Sequence, residues 1–329
     1  MSAYRQAANM CDEEEMDSVQ EMAIADEFNC VTRWEQAVCQ TQIQVQTHLL
    51  GASGFNGRLN SRHFGAVLLR HFRSTPVRYI RGESEIDQYP ADNFEISLTL
   101  SGKTIIVQND KEIVQRPGDI VIFDTSRPFD YALPEGDDQI VIDVPRVLLE
   151  QYLPNADELV GNLLSGQSTF GRLVGTMFRD VGLSGYGGAP AVAARVGTAI
   201  VDLVATAFDV EFGARARAPL GNSGALARIK SFMLDQLTDS SLDVETIATA
   251  NNISVRSLHR LFGAEGTTVM RWLWQQRLCA SYKALAEGRS HRVSDVAMQF
   301  GFTNFSHFAK SFRQAFGVLP QSLLRSRLQ

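Results

Sequence analysis

The stretch VSDVAMQFGFTNFSHFAKSFRQAFGVLPQSLLR, residues 293–325, decides the reading of the chain. Its apolar residues recur at helical spacing on both sides of Gly301, which predicts a short helix, a tight turn and a second amphipathic helix. A near-repeat lies 49 to 50 residues upstream: Val244, Ile247, Ala248 and Ile253 correspond to Val293, Val296, Ala297 and Phe302. After a one-residue shift, Leu258 and Phe262 correspond to Phe308 and Phe312. Alanines at 248 and 297 let the paired helices approach closely. Asn252 and Gly301 stand in the turns, where a positive φ is needed and a β-branched residue would be strained. Asp243 and Ser254 are placed to cap the two helices of the first unit, with Glu245 near a positive helix end, whereas the second unit opens without a comparable cap. Between the units, Thr268 to Glu287 contains neither Pro nor Gly and predicts a connecting helix about 30 Å long, close to one turn of DNA. The pattern is that of two helix-turn-helix units.

Charge divides the chain in the same place. From Asn222 onward there are 13 Lys and Arg against 7 Asp and Glu, a net of +6, while residues 1–221 carry 18 against 30, a net of −12. A basic half suits a phosphate-facing surface, although an uneven solvated surface would give the same count. At 329 residues, 44% hydrophobic and 21% charged, the chain has the length of two globular units. The apolar runs are shorter than the roughly 18 residues of a membrane span, so no transmembrane helix is expected. Residues 1–30 show no secretory signal and carry the acidic run Asp12 to Glu15, so they are expected to be an acidic, disordered arm. Cys11, Cys30, Cys39 and Cys279 lie far apart with no C-x-x-C pair, which argues against a zinc site or a disulfide framework and for a reducing cytoplasm. A reactive thiol at Cys11 or Cys30 would need a cationic neighbourhood, and the nearby residues are acidic.

Residues 225–325 resemble the C-terminal domain of the AraC/XylS family of bacterial regulators. The likeness is carried by the G-F pair at 301–302, S-H-F at 306–308, F-R at 312–313, F-G at 316–317 and the Pro at 320. LFGAEGTTVMRWLWQQRL, 261–278, further resembles the branch with an AraC-binding-like, cupin-like N-terminal half. This implies a sequence-specific regulator of double-stranded DNA, more often an activator than a repressor, that contacts RNA polymerase and needs no cofactor. The family's reading helices map onto Ser254 to Ala264 and Phe305 to Phe316. In the first, Leu258, Leu261 and Phe262 make the buried stripe and leave Arg256, Ser257, His259 and Arg260 for bases or phosphates, with Arg260 the foremost candidate. In the second, Phe308 and Phe312 face inward and leave Ser306, His307, Lys310 and Arg313. Lys310 stands where the family usually has Arg, and because lysine cannot make the planar two-pronged contact with guanine, base and phosphate contact both stay open there. Each of these side chains also has a plainer reading as a solvated charge, a local cap or a packing group. Trp272, Trp274 and Leu278 at helical spacing are expected in the core of the connecting helix.

From Pro76 to Val144 short β-rich runs (VRYI, FEISLTL, KTIIVQ, IVIFD, QIVIDV) alternate with turn signals at Ser101-Gly102, Asn109-Asp110, Pro117-Gly118-Asp119 and Glu135-Gly136. They predict an antiparallel barrel or sandwich with room for a small ligand. WEQAV at 34–38, LSGK at 100–103, RPGD at 116–119 and DVPR at 143–146 resemble the cupin-like sensor domain of the same branch. The fold class is therefore α+β multidomain: a cupin-like antiparallel β-barrel with flanking helices at 31–150, a helical and possible dimerisation region at 151–210, a linker at 211–224, and an all-α double helix-turn-helix domain at 225–329. His48, His63 and His71 are dispersed rather than clustered, so no metal is expected and an enzyme is disfavoured. Arg70, Arg73, Arg78 and Arg81 crowd a predicted strand; one turned inward would clamp a carboxylate, though a strand arginine ordinarily faces solvent. The resemblance implies an organic acid, amine or aromatic effector without choosing among them. The stripe Val196, Ile200, Leu203 and Val204 serves either a homodimer or packing within one chain. Two rival functions remain at this stage: an N-terminal protein-interaction module without an effector, and an enzyme fused to the DNA-binding half.

Overall fold

The computed structural model describes residues 25–325 apart from 42, 52–53, 185–188, 217–222, 265, 289 and 291. The expected arm at 1–30 falls outside them as far as residue 24, but its last part is a strand, β1 (Ala25–Phe28). Helix α1 (Val31–Thr41) follows, then β2 (Gln46–Leu49), β3 (Gly57–Phe64), β4 (Val67–Ser74), β5 (Val77–Arg81), α2 (Glu83–Gln88), β6 (Asn93–Thr99), β7 (Thr104–Gln108), β8 (Lys111–Gln115), β9 (Ile120–Asp124), β10 (Phe129–Leu133) and β11 (Asp137–Pro145). The helical region comprises α3 (Arg146–Tyr152), α4 (Ala156–Leu159), a two-residue strand β12 (Leu163–Leu164), α5 (Thr169–Leu183) and α6 (Pro190–Ala216). The last third is all helical: α7 (Ser223–Asp235), α8 (Val244–Ala250), α9 (Val255–Gly263), α10 (Val269–Ala286), α11 (Val293–Gln299), α12 (Phe305–Phe316) and α13 (Ser322–Arg325).

Two sheets face one another. One has seven strands in the order β1-β3-β4-β11-β6-β9-β12 and the other five in the order β2-β5-β10-β7-β8, every described pairing being antiparallel. The strands form a barrel-like pair of sheets rather than a closed cylinder. Asn109 and Asp110, with φ of 53° and 59°, make the two-residue turn between β7 and β8, the left-handed pair that matches strand twist. Strands β6 and β9 are buried along nearly their whole length because they are covered on both faces.

Side-chain alternation sorts the interior into two cores. Leu69, Ile96, Ile122, Ile140 and Ile142 point away from the second sheet and join a core with α3 to α6 that continues without a break into the C-terminal helices. Phe72, Val121, Phe123 and Val141 point between the sheets and form a separate core with Trp34, Tyr79, Phe129 and Tyr131.

Three expectations change. Strand structure begins well before Pro76, so His48, His63 and His71 belong to β2, β3 and β4. The expected linker at 211–224 is entered by α6 as far as Ala216 and left by α7 from Ser223; residues 217–222 lie outside the described ones. Of the α6 stripe, Ile200 and Val204 are buried and Val196 and Leu203 pack on the same core, so it is covered within the chain. Residues 190–213 of α6 are, by length and composition alone, apolar enough to cross a membrane, although Arg195, Asp202, Asp209 and Glu211 interrupt them. The helix serves here as a core element, packed on β3, α5, α10 and α13.

Candidate nucleic-acid interface

The first unit begins where Asp243 accepts the Thr246 N–H at 2.8 Å, satisfying a free donor at the start of α8. Asn252 takes φ 54° in the turn, and Ser254 accepts the Ser257 N–H at 3.1 Å to open α9. Gly301 takes φ 79° in the second unit, and α11 starts at Arg292 with no side-chain cap. The second reading helix compensates: Asn304 accepts the His307 N–H at 3.0 Å, and Gly317, at φ 70°, closes α12 in the left-handed conformation. Helix α10 is flanked by Thr268 and Glu287, so the connecting helix has the expected limits and 18 residues, roughly 27 Å.

Buried stripes hold each reading helix. Leu258 and Phe262 are wholly buried under α9, and Phe262 meets Trp272 edge-on at 5.9 Å. Under α12, Phe308, Phe312 and Phe316 run in series, the last two against Tyr282 of α10. Trp272 and Leu278 are buried, and Trp274 lies against Phe302 and His307. Arg277, which carries no signal in the sequence, is buried and donates from Nε to the Leu237 carbonyl at 3.1 Å and from Nη2 to that of Asp239, tying α10 to the chain after α7.

The opposite faces carry the candidate readers. Arg256, His259 and Arg260 are exposed on α9, and Ser306, His307, Lys310 and Arg313 on α12. Ser257 is half-buried, its hydroxyl 2.9 Å from that of Ser254, so it is engaged in the cap. His307 leans on Trp274 with ring centroids 5.3 Å apart, which supports its packing reading without burying it. Among the described residues no ion pair engages Arg256, Arg260, Lys310 or Arg313, which leaves their charges available to an anion. The sequence reading missed Phe305: it opens α12 at 45% exposure, an apolar group beside the readers.

The N-terminal half is joined directly to this domain. The Ala66 N–H, in the β3–β4 turn, donates to Tyr282 Oη at 2.8 Å, and the Cys279 thiol donates to the Val147 carbonyl at 3.0 Å. Gly65, at φ 67°, is required there because a Cβ would stand 2.2 Å from Tyr282 Oη and 2.9 Å from Ala194. Burial raises the Cys279 thiol pKa above its ordinary value. The exposed Cys30, at the start of α1, is shifted the other way by the Arg33 and Thr32 N–H groups. Cys11 lies outside the described residues.

Between the sheets lies a narrow pocket, about 350 Å³ of empty space with open solvent included, walled by Val38, Ile43, Val45, Phe72, Tyr79, Glu95, Phe123, Phe129, Tyr131, Gln139 and Val141. The four arginines divide. Arg73 and Arg78 face solvent and pair with Asp138 and Asp130. Arg81 is buried and donates to the carbonyls of Thr125, Gln44 and Tyr89, a structural tie. Arg70 is buried with Nη2 3.0 Å from Asp143 Oδ2 and Nη1 3.7 Å from Glu95 Oε1. None of the four is part of the pocket wall. His71 is a satisfied core histidine, 2.9 Å from Asp138, and His48 and His63 are exposed. No group of three or more metal-ligating side chains occurs among the described residues.

Two helix-turn-helix units on one connecting helix, fused to an antiparallel two-sheet fold, define a DNA-binding transcriptional regulator. A family model for the AraC-binding-like domain matches residues 34–209 and one for a helix-turn-helix domain matches residues 247–326. The chain belongs to the AraC family. It is similar to the transcriptional activator NphR of Rhodococcus sp, 29% identical over 291 residues, 87% of this chain and 85% of NphR. The transcriptional activator RhrA of Rhizobium meliloti (strain 1021) is 35% identical over 101 residues, 30% of this chain and 32% of RhrA. The crystal structure of the AraC-like transcriptional activator CuxR shares the fold, at 18% identity and a TM-score of 0.51 over 79% of this chain and 96% of that one.

Proposed function

We propose that the chain is a cytoplasmic one-component activator, in which a small organic effector held between the sheets controls how two helix-turn-helix units engage successive major-groove faces of a promoter. The observation that carries this is a hollow sensor core joined directly, through the β3–β4 turn and Tyr282, to the helix that connects both units. Arg256, His259 and Arg260 read or anchor one groove, and Ser306, Lys310 and Arg313 the next; Ser257 and His307 chiefly set the helices that carry them. Phe305 is placed for apolar contact with a thymine methyl. The protein acts by binding rather than by catalysis, and its relatives NphR and RhrA, both called transcriptional activators, support activation. A homodimer would use outer residues such as Leu173 and Val192, because the α6 stripe is already covered. The test is genome-wide binding of the tagged protein followed by transcription from the strongest promoter. Sequence-selective occupancy with protein-dependent transcription is expected; occupancy without sequence preference would overturn the reading.

A further inference from the structure

Tyr282 stands between the two halves of the chain. It is fully buried on α10, its Oη accepts the Ala66 N–H of the β3–β4 turn at 2.8 Å, and its ring lies against α12, with centroids 4.7 Å from that of Phe316 and 5.9 Å from that of Phe312. The rings continue beneath the reading helix: Phe312 meets Phe308 at 5.5 Å, and Phe308 meets Phe302, in the turn before α12, at 4.8 Å. One side chain therefore holds the N-terminal half with its hydroxyl and the buried face of the second reading helix with its ring.

The turn on the other side of that bond has no slack. Gly65 is closed in by Tyr282 and Ala194, and a Cβ on Gly197 of α6 would lie 2.1 Å from the Phe64 carbonyl oxygen. The turn is lodged between α6 and α10, and so close a packing passes a displacement on instead of absorbing it. Cys279 and Lys283 share the Tyr282 face of α10 at helical spacing and also meet the N-terminal half, the thiol at the Val147 carbonyl and Lys283 Nζ 4.9 Å from the Tyr152 ring centroid. Helix α13, which follows α12, packs on α6.

The first unit is seated elsewhere. Helix α8 packs on α7 and α9, and α9 on α10. The α9 stripe rests through Phe262 on Trp272, ten residues before Tyr282 and so roughly 15 Å away along α10. Between those two residues Arg277 fastens α10 to the carbonyls of Leu237 and Asp239. With the helix held there, a movement of the turn falls on the Tyr282 ring and the phenylalanines it supports, and not on α9.

We infer that Tyr282 is a positioning residue for the second reading helix: through the β3–β4 turn the N-terminal half sets how α12 enters its groove, while α9 enters the other independently. This rests on the DNA-binding reading above and gives the two units different parts in it.

Three duplexes test it: the strongest promoter site, the same site with the α9 face scrambled, and the same site with the α12 face scrambled, the faces being assigned by the protection lost in Arg260→Ala and Arg313→Ala. Binding of the full chain is measured at low salt, where one unit alone still holds DNA, and the folded fraction of each variant is fixed by urea unfolding. Tyr282→Phe keeps the ring and removes the acceptor. It is expected to weaken binding to the intact and the α9-scrambled duplexes about fivefold and to leave the α12-scrambled duplex bound as by the parent. Gly65→Ala, which displaces the turn from the other side of the same bond, should give the same pattern; Tyr282→Phe decides alone should the Gly65→Ala chain lose its cooperative melt. A merely structural role would lower the folded fraction and weaken all three duplexes by one common factor. That common factor, a loss on the α12-scrambled duplex, or no change on any duplex in a folded Tyr282→Phe chain would overturn the assignment. Binding by the parent chain that is indifferent to the scrambling would overturn the DNA-binding reading, and this inference with it.

Discussion

The two cores of this molecule are built from similar residues and do different work. The outer core runs from the seven-stranded sheet through α3 to α6 into the helix-turn-helix units, and its buried residues are almost entirely apolar. The inner core, between the sheets, is smaller and shares its space with Arg70, Glu95, Ser97, Gln115 and Gln139, all buried. Dense apolar packing gives rigidity and carries displacement from one element to the next. An interior that mixes polar groups with apolar ones around a pocket is where the effector proposed above would sit. Tyr282 belongs to the first, while the strands on either side of Gly65 reach back into the second.

That contrast can be broken by substitution. The largest effect is expected from Phe312→Ala, which empties the stack beneath α12: about 3 to 5 kcal/mol of stability should be lost in urea unfolding. Phe129→Ala, on the pocket wall, should cost clearly less, because one side of that ring already lacks neighbours. Equal losses would mean that the inner core is packed as tightly as the outer.

The pH dependence sharpens the same boundary. Glu150 of α3 sits where the two domains meet, and burial, with the charge of Asp157 adding, pushes its carboxyl up to about 7 against the pull of Arg146 and Lys230. The folded chain then holds this proton more tightly than the unfolded chain. Its stabilising contribution is complete below the ordinary value near 4.5 and is lost as pH rises from there through about 7. The loss should be on the order of 2 kcal/mol, and Glu150→Gln should flatten the stability profile over that interval. An unchanged profile would remove Glu150 from the account.

A smaller effect of a different kind is expected on the exposed face. Arg260→Ala should leave urea unfolding unaltered but cost roughly 1 to 3 kcal/mol in operator affinity if it makes a bidentate base contact. Lys310→Ala separates its two readings: a phosphate contact predicts uniform weakening across sequences and a shallower salt dependence, a base contact a relaxed preference at one position. The smallest effect concerns the junction. Tyr282→Phe deprives the Ala66 N–H of its acceptor, about 1 kcal/mol, and should begin to separate the melting of sensor and DNA-binding halves.

How much of this was legible in the sequence follows from the range of the interactions. The caps at Asp243 and Ser254, the turns at Asn252 and Gly301 and the limits of α10 depend on residues within a few positions of one another, and spacing exposed them all. The strands before Pro76 were missed because GRLNSRHF of β3 is polar and half-exposed, with no clean alternation to mark it. The stripe on α6 gave no decision between a dimer and an intrachain contact, since its covering elements come from β3, α5, α10 and α13. The wall of the pocket was out of reach for the same reason: Val38, Phe72, Glu95 and Gln139 come together from α1, β4, β6 and β11. On α12 the reading direction was visible, but the contact of His307 with Trp274 and the exposure of Phe305 needed the packed structure.

The central claim is that both units grip DNA together. Hydroxyl-radical footprinting on the strongest promoter site, with the parent chain beside Arg260→Ala and Arg313→Ala, tests it most directly. The expected result is protection around two major-groove faces one helical turn apart, with each substitution weakening its own face. Protection confined to a single groove, unaffected by one of the two substitutions, would contradict it.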